Sequence, residues 1–278
     1  MAQRIDKSLL QDLSLHTRSL GVKRVFRSMA YERCIELPLI VSRLRPMFRR
    51  PLRYLDIGSG DSILPSYLLA RTDWKMTLVD KFSTLSAQTT YARKAMKSQA
   101  WEDRFTVIND DFLSWEGSEG GFDVITLISV IEHFAGAADS AGMAKAGQLL
   151  APGGILIVVA PYNEGHPREF FMKGEVYGEK FEGKPVFFQR HYDRTTLEDR
   201  IITPSGLKVE ERLFYGDYGF QYKERFTNLP WPWKPLKVLY QWATPGFARA
   251  FARYSEEPVS REGMQMYTAS GVFLSLRK

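Results

Sequence analysis

Two glycines, Gly58 and Gly60, follow an aspartate, Asp56, at the end of the short apolar run RYLDI, and a helical pattern starts a few residues later. Glycines at such a strand end let bare main chain approach a ligand, and the carboxyl edge of an open α/β sheet is where ligands bind. A dinucleotide fingerprint needs a third glycine at position 63, where Ile63 stands, so nicotinamide chemistry loses ground. A second acid, Asp80, closes the next run, TLVD. Asp110, Asp111 and Phe112 follow the third, Ser129, Glu132 and His133 the fourth, and His166 and His191 lie beyond the fifth. Imidazole titrates near neutral pH, so the histidines are candidates for moving a proton.

The elements that position these residues are legible as alternating texture. Short β-type runs (RYLDI, KMTLVD, RFTVIN, FDVITLIS, ILIVVA) are separated by helical ones (SILPSYLLAR, LSAQTTYARKAMKS, and a helix from Ala141 to Leu150). This alternation predicts βαβ units around a parallel sheet, and continuous apolar strands suit positions covered on both faces. Upstream, residues 1–50 read as a helical arm, with leucines at helical spacing from Ile5 to Leu20 and an apolar stretch from Ile35 to Leu44 before Pro46. Downstream, a helix near Arg194–Ile202 precedes strands Leu207–Tyr215 and Tyr267–Leu276, which are expected to pair antiparallel at the sheet edge. Between them, residues 217–263 are too long for a hairpin loop and form an insertion or lid.

At this point the sequence resembles the class I S-adenosylmethionine-dependent methyltransferases. The resemblance rests on the ordered matches D-x-G-x-G (Asp56, Gly58, Gly60), the strand-end Asp80, the segment VINDDFLSW, the element Ser129-Val130-Ile131-Glu132-His133-Phe134, and the turn LLAPGG before the fifth strand. Ser62 stands where that family often has a third glycine. The resemblance implies a Rossmann-like α/β fold, a seven-stranded mostly parallel sheet with an antiparallel edge strand and helices on both faces. The arm precedes this methyltransferase domain (51–216 and 264–278), and the insertion (217–263) precedes the last strand. It also implies S-adenosyl-L-methionine as cofactor, held by Asp56, Gly58, Ser59, Gly60, Asp80, Lys81 and Ser129. Asp80 takes the ribose hydroxyls, and an aspartate after the third strand takes the adenine amino group, where Asp111 with Phe112 fits better than Asp110.

Methyl transfer from a sulfonium is an in-line displacement, so a protein aligns the partners and removes the acceptor's proton where needed. His133 is the first candidate base, with packing behind the cofactor as the alternative. Glu132 and His191 are further catalytic candidates, Tyr162 and Asn163 candidate pocket walls. Relatives with E-x-x-E-H bind a divalent cation, but Ser129 replaces the first glutamate, so no metal is expected.

The acceptor remains open. The chain has 278 residues, net charge +6 and one cysteine, which excludes an intramolecular disulfide and leads us to expect a reducing, cytoplasmic setting. The start carries charge throughout, unlike a secretory signal, and no run approaches the roughly 20 apolar residues of a membrane span. Residues 1–53 hold a net charge of +8, an excess that suits amphipathic helices with solvated faces or attraction to a polyanion. The insertion combines Trp231, Trp233, Tyr240, Trp242, Phe247 and Phe251 with Lys234, Lys237, Arg249 and Arg253. That mixture suits a small molecule, a glycan or a lipid-linked acceptor with peripheral membrane contact, or a structural aromatic cap. The element Tyr31 to Pro38 looks like the arm of bacterial methyltransferases of glycan and small-molecule pathways. A nucleic-acid methyltransferase is the runner-up, set back by the absence of an N-P-P-Y motif after the fourth strand. A non-catalytic cofactor-binding module is the alternative from another class.

Overall fold

The computed structural model describes residues 3–26, 29–97, 100–174, 176, 183–219, 237–262 and 265–278. After a two-residue strand β1 (Gln3–Arg4), helix α1 (Lys7–Ser19) starts where the Asp6 carboxylate accepts the amides of Ser8 and Leu9, satisfying donors that a helix start leaves open. It buries Leu9, Leu10 and Leu13. Helices α2 (Val22–Phe26) and α3 (Tyr31–Leu44) complete the arm, α3 carrying Pro38 inside it.

Strand β2 (Arg53–Ile57) then begins the α/β unit, followed by α4 (Leu64–Leu69), β3 (Lys75–Val79), α5 (Ala87–Met96), β4 (Phe105–Ile108), β5 (Phe122–Ile128), α6 (Ala138–Leu149) and β6 (Leu150–Pro161). The five strands run parallel in the order β4-β3-β2-β5-β6. The chain builds outward from β2 to β4 and returns to β5 on the other side of β2, so the crevice at the carboxyl ends of β2 and β5 is a topological switch point.

A hairpin of β7 (Arg168–Met172) and β8 (Val186–His191) stands apart from this sheet, within the loop expected after the fifth strand. Helix α7 (Arg194–Leu197), capped by a reciprocal Asp193–Thr196 box, runs through a π-helical turn (Glu198–Ile202) into α8 (Thr203–Ser205), which Gly206 ends in the left-handed region at φ 65°. Strands β9 (Lys208–Tyr218) and β12 (Gln265–Arg277) pair antiparallel, as expected, and β12 lies between β6 and β9. Helix α9 (Lys237–Phe251) and the strands β10 (Ala252–Ser255) and β11 (Val259–Glu262) come from the insertion. β10 and β1 continue the sheet past β9, so the expected seven strands gain short additions and β1 forms the outer edge. Two-residue β1 carries no periodicity, and its pairing with β10 is a tertiary contact no local pattern announces. Of the aromatic and basic residues read in the insertion, Trp231, Trp233 and Lys234 lie outside the described residues, as do the side chains of Lys237 and Tyr240.

Alternate residues of the central strands feed two cores, because successive strand side chains face opposite ways. Ile157 and Val159 of β6 join the core under α1, α3 and α4; Leu156 and Val158 join that under α6 and α7. The arm is therefore packed into the body of the molecule. Among the described residues no helix is long and apolar enough to cross a membrane.

Candidate functional site

The glycine turn folds back on the tips of β2 and β3. The Gly58 amide donates to Val79 O at 2.8 Å, and Gly58 and Gly60 have φ of 72° and 45°. A Cβ on Gly58 would come within 2.4 Å of Val130, so this position must be glycine both for conformation and for space. A Cβ on Gly60 meets nothing closer than 3.8 Å. Beneath the turn, Asp56 is buried, its Oδ1 accepting the Thr126 hydroxyl at 2.6 Å, and burial raises its carboxyl to a pKa of about 6. Buried Ser59 donates to Asp56 O. Asp80 faces the turn: Oδ2 accepts the Gly60 amide and Oδ1 the Phe82 amide, both at 2.8 Å.

One residue that sequence reasoning missed holds this turn from behind. The Gln88 amide, fully buried on α5, donates to Gly60 O at 3.0 Å and Ser62 O at 2.8 Å, with Ser59 O at 3.5 Å. In a stretch reading LSAQTTYARK nothing marks that glutamine from its polar neighbours.

A cavity of about 340 Å³ opens on the turn, lined by Gly58, Ser59, Gly60 and Ser129 and, across from them, by Arg24 and Arg33 of the arm. Neither arginine stands out as a site residue in the sequence: Arg24 reads as one of the bases on a solvated helix face, and Arg33 only as part of the Tyr31–Pro38 element. Arg24 Nη2 donates to Asp61 Oδ2 at 2.7 Å and its Nε to Tyr91 OH at 3.0 Å, tying α2 to the turn. Arg33 pairs with the buried Glu36 and donates to Ser129 Oγ at 2.9 Å and Ile128 O at 3.3 Å. Burial works against the Arg33 charge, but Glu36 beside it more than compensates and raises its pKa. Glu36 Oε1 also accepts Tyr215 OH at 2.6 Å, so α3, β5 and β9 meet at one carboxylate. Ser129 sits at φ 52°, a left-handed conformation that costs a non-glycine residue about 1–3 kcal/mol. Its amide, bonded to Val159 O at 2.8 Å, and its hydroxyl hold it there.

Two residues on, a single 3-10 turn (Ile131–His133) presents Glu132 and His133. Glu132 is buried, and its Oε1 lies 3.9 Å from His133 Nε2. His133 Nδ1 lies 2.7 Å from Phe188 O of β8. A carbonyl only accepts, so Nδ1 carries the proton and the neutral ring keeps its lone pair on Nε2. Burial lowers the His133 pKa, partly offset by that bond. The hairpin that supplies Phe188 is moored by Arg190, which pairs with buried Asp139 of α6 and with Glu169, while Arg200 reaches the same Asp139.

The other expected residues fall around this centre. Lys81 Nζ lies 3.9 Å from Asp111 Oδ2 at the tips of β3 and β4. Asp110 is exposed and accepts the Asp111 amide, Asp111 accepts the Leu113 amide, and Phe112 packs into the core under α6. His191, on β8, lies tilted against the Phe170 ring with centres 4.6 Å apart, and its Nε2 meets Gln189 Nε2 at 2.9 Å. Tyr162 is buried against Phe214, Asn163 is half-buried, and His166 is exposed. The structure thus joins Asp56, Gly58, Ser59, Gly60 and Ser129 at one cavity, ties Asp80 to it through the Gly60 amide, brings Glu132 beside His133, and keeps Asp110, Asp111 and Phe112 at the tip of β4. Among the described residues no three His, Cys, Asp or Glu are grouped to hold a metal ion.

A nucleoside carrying an amino acid fits this rim: the cradle is bare main chain, and the Asp80 carboxylate accepts the amide of its second glycine. A family model described as a methyltransferase domain matches residues 26–209. Among solved structures, the chain is similar to the Burkholderia thailandensis 1,6-didemethyltoxoflavin-N1-methyltransferase with bound 1,6-didemethyltoxoflavin and S-adenosylhomocysteine (13% identity, 96% of this chain and 81% of that one, TM-score 0.53). It is also similar to an S-adenosylmethionine-dependent methyltransferase of Methanosarcina mazei (12%, 85% and 96%, TM-score 0.51) and to the cyclase SpnF (14%, 88% and 80%, TM-score 0.50). No curated protein sequence matches it. With a family match over more than half of its length, on the expected strand order and with the glycine turn in place, the chain belongs to the methyltransferase-domain family and is a class I S-adenosylmethionine-dependent methyltransferase.

Proposed function

We propose that the protein methylates an oxygen or nitrogen of a small molecule, a glycan or a lipid-linked intermediate, with His133 as general base. The observation that carries this reading is the His133 ring, on the 3-10 turn that follows the cavity residue Ser129, with its Nδ1–H fixed on Phe188 O so that the basic lone pair falls on Nε2. Bound at the rim, S-adenosylmethionine supplies a methyl group on a sulfonium, open to in-line attack. Gly58, Ser59 and Gly60 give the amino-acid half a main-chain cradle. Asp80 suits the ribose, because each carboxylate oxygen has a second lone pair beyond the amide it accepts. Lys81, Asp111 and Phe112 would flank the base, and Arg33 is the cavity residue suited to a carboxylate.

Glu132 lies close enough to Nε2 to stabilise the imidazolium that forms when His133 takes the acceptor's proton. Residues 51–216 and 264–278 act as the cofactor-binding domain, and the arm, the β7–β8 hairpin with His191, and the insertion wall the acceptor. Assay of His133→Ala against candidate acceptors tests this. Turnover falls about 10²- to 10⁴-fold while S-adenosylhomocysteine affinity stays the same; full activity in the variant removes His133 as base.

A further inference from the structure

Helix α1 turns Leu15 and Arg18 outward, three residues apart and so on one side, with Leu15 56% exposed. Over Arg18 lies the ring of Trp242 from α9, 5.7 Å from the guanidinium carbon to the ring centre and 59% exposed. Arg249, two turns further along α9, is exposed too, and α2 adds Val22, 73% exposed, with Val25 and Lys23. A tryptophan and three aliphatic side chains in water, interleaved with bases, are more than scattered surface apolar residues.

The acids nearest them, Asp12 and Asp61, are each engaged by an arginine, Arg71 and Arg24. Between Asp12 and Glu32, and again between Glu224 and Glu256, the sequence contains no acidic residue. The fold lays α1 against α9 and so joins part of both stretches in one surface. Arg18, Lys23 and Arg249 form no ion pair among the described residues. A phosphodiester would leave Leu15, Val22 and Val25 without a partner, whereas an anionic bilayer offers phosphates to the bases and an interfacial layer to the tryptophan and aliphatics.

We propose that the outer face of α1, α2 and α9 docks on the surface of an anionic phospholipid bilayer, with Trp242, Leu15 and Val22 at headgroup depth and Arg18, Lys23 and Arg249 over the lipid phosphates. Both contributions are needed, since one weak anchor alone gives only marginal attachment. Arg24, on α2 between Val22 and Val25, lines the cofactor cavity, so docking sets the cavity rim beside the headgroups. The proposal stands on the surface alone and holds whatever the acceptor is.

Co-sedimentation of the full chain with vesicles tests it. Phosphatidylglycerol–phosphatidylcholine vesicles carry the protein down, phosphatidylcholine vesicles do not, and high salt releases it. Arg18→Ala weakens binding about fivefold and Arg18→Ala with Arg249→Ala about 25-fold; Trp242→Ala weakens it as well, and all these variants keep the wild-type affinity for S-adenosylhomocysteine. Three results overturn the proposal: no sedimentation with anionic vesicles, unchanged sedimentation of the variants, or binding of a single-stranded RNA in place of vesicles. Absence of S-adenosylhomocysteine binding by the wild type would count against the cofactor reading and leave the vesicle result intact.

Discussion

At the scale of single residues, the chemistry rests on the protonation of His133. Its pKa lies below the ordinary 6.5 because burial disfavours the charged ring, so the basic form is the resting form at neutral pH. The sign follows: kcat/KM holds as pH falls through 6.5 and declines only below it, as the ring is protonated. A kcat/KM profile, which reports the free enzyme, with its acid midpoint at or above 6.5 would contradict this placement. Residues of this centre were unequally legible. Gly58, Gly60 and Asp80 declare themselves because their roles depend on backbone and strand-end position, which sequence spacing encodes. Gln88, Arg33 and Glu36 do not, because they act through partners 28, 96 and 179 positions away, and a polar residue on a helix looks the same whether it faces solvent or a distant strand.

At the scale of elements, the base is held by a hairpin that local pattern did not announce. β7 and β8 (REFFM and VFFQRH) are short, and the first is exposed along its length, so neither alternation nor burial sets it apart from loop. What fixes the hairpin is Asp139, fully buried on α6, shared by Arg190, Arg200 and the Tyr192 hydroxyl. Removing one member of a buried charged group leaves the others without compensation. Asp139→Ala therefore lowers stability by about 3–5 kcal/mol in urea unfolding, well beyond an ordinary surface change. A loss under 1 kcal/mol would show that the hairpin is held by something else. The parallel strands were legible for the opposite reason: β5 and β6 are buried along most of their length and carry near-continuous apolar runs, β2 and β3 are mostly buried, and the helices between them are bounded by clear turns.

At the scale of the whole molecule, the arm is part of the body. His16 of α1 is buried against α4, its Nε2 2.9 Å from Ser66 Oγ and its ring edge-on to Tyr67. Burial lowers its pKa from 6.5 to about 4. The unfolded chain therefore takes up this proton first, and stability from the neutral ring is lost as pH falls from 6.5 towards 4, by about 3 kcal/mol in all. Asp56, raised from 3.8 to about 6 by burial, acts in the opposite sense: the stability it contributes is lost as pH rises through that window. The wild-type curve blends the two, so the difference between wild type and His16→Gln isolates the histidine. That difference should shrink as pH drops from 6.5 to 4; a difference independent of pH would mean that α1 does not dock as described.

The central claim is that the cofactor lies over the glycine turn at the tips of β2 and β3. Gly60→Arg tests it most directly: the residue lines the cavity and a Cβ there meets no atom closer than 3.8 Å, so the substitution costs about 1–3 kcal/mol for the left-handed backbone at φ 45° but makes no clash with the core. In calorimetric titration with S-adenosylhomocysteine, the wild type should bind and the folded Gly60→Arg variant should not. Equal affinity in the two proteins, or no binding by the wild type, would contradict the account.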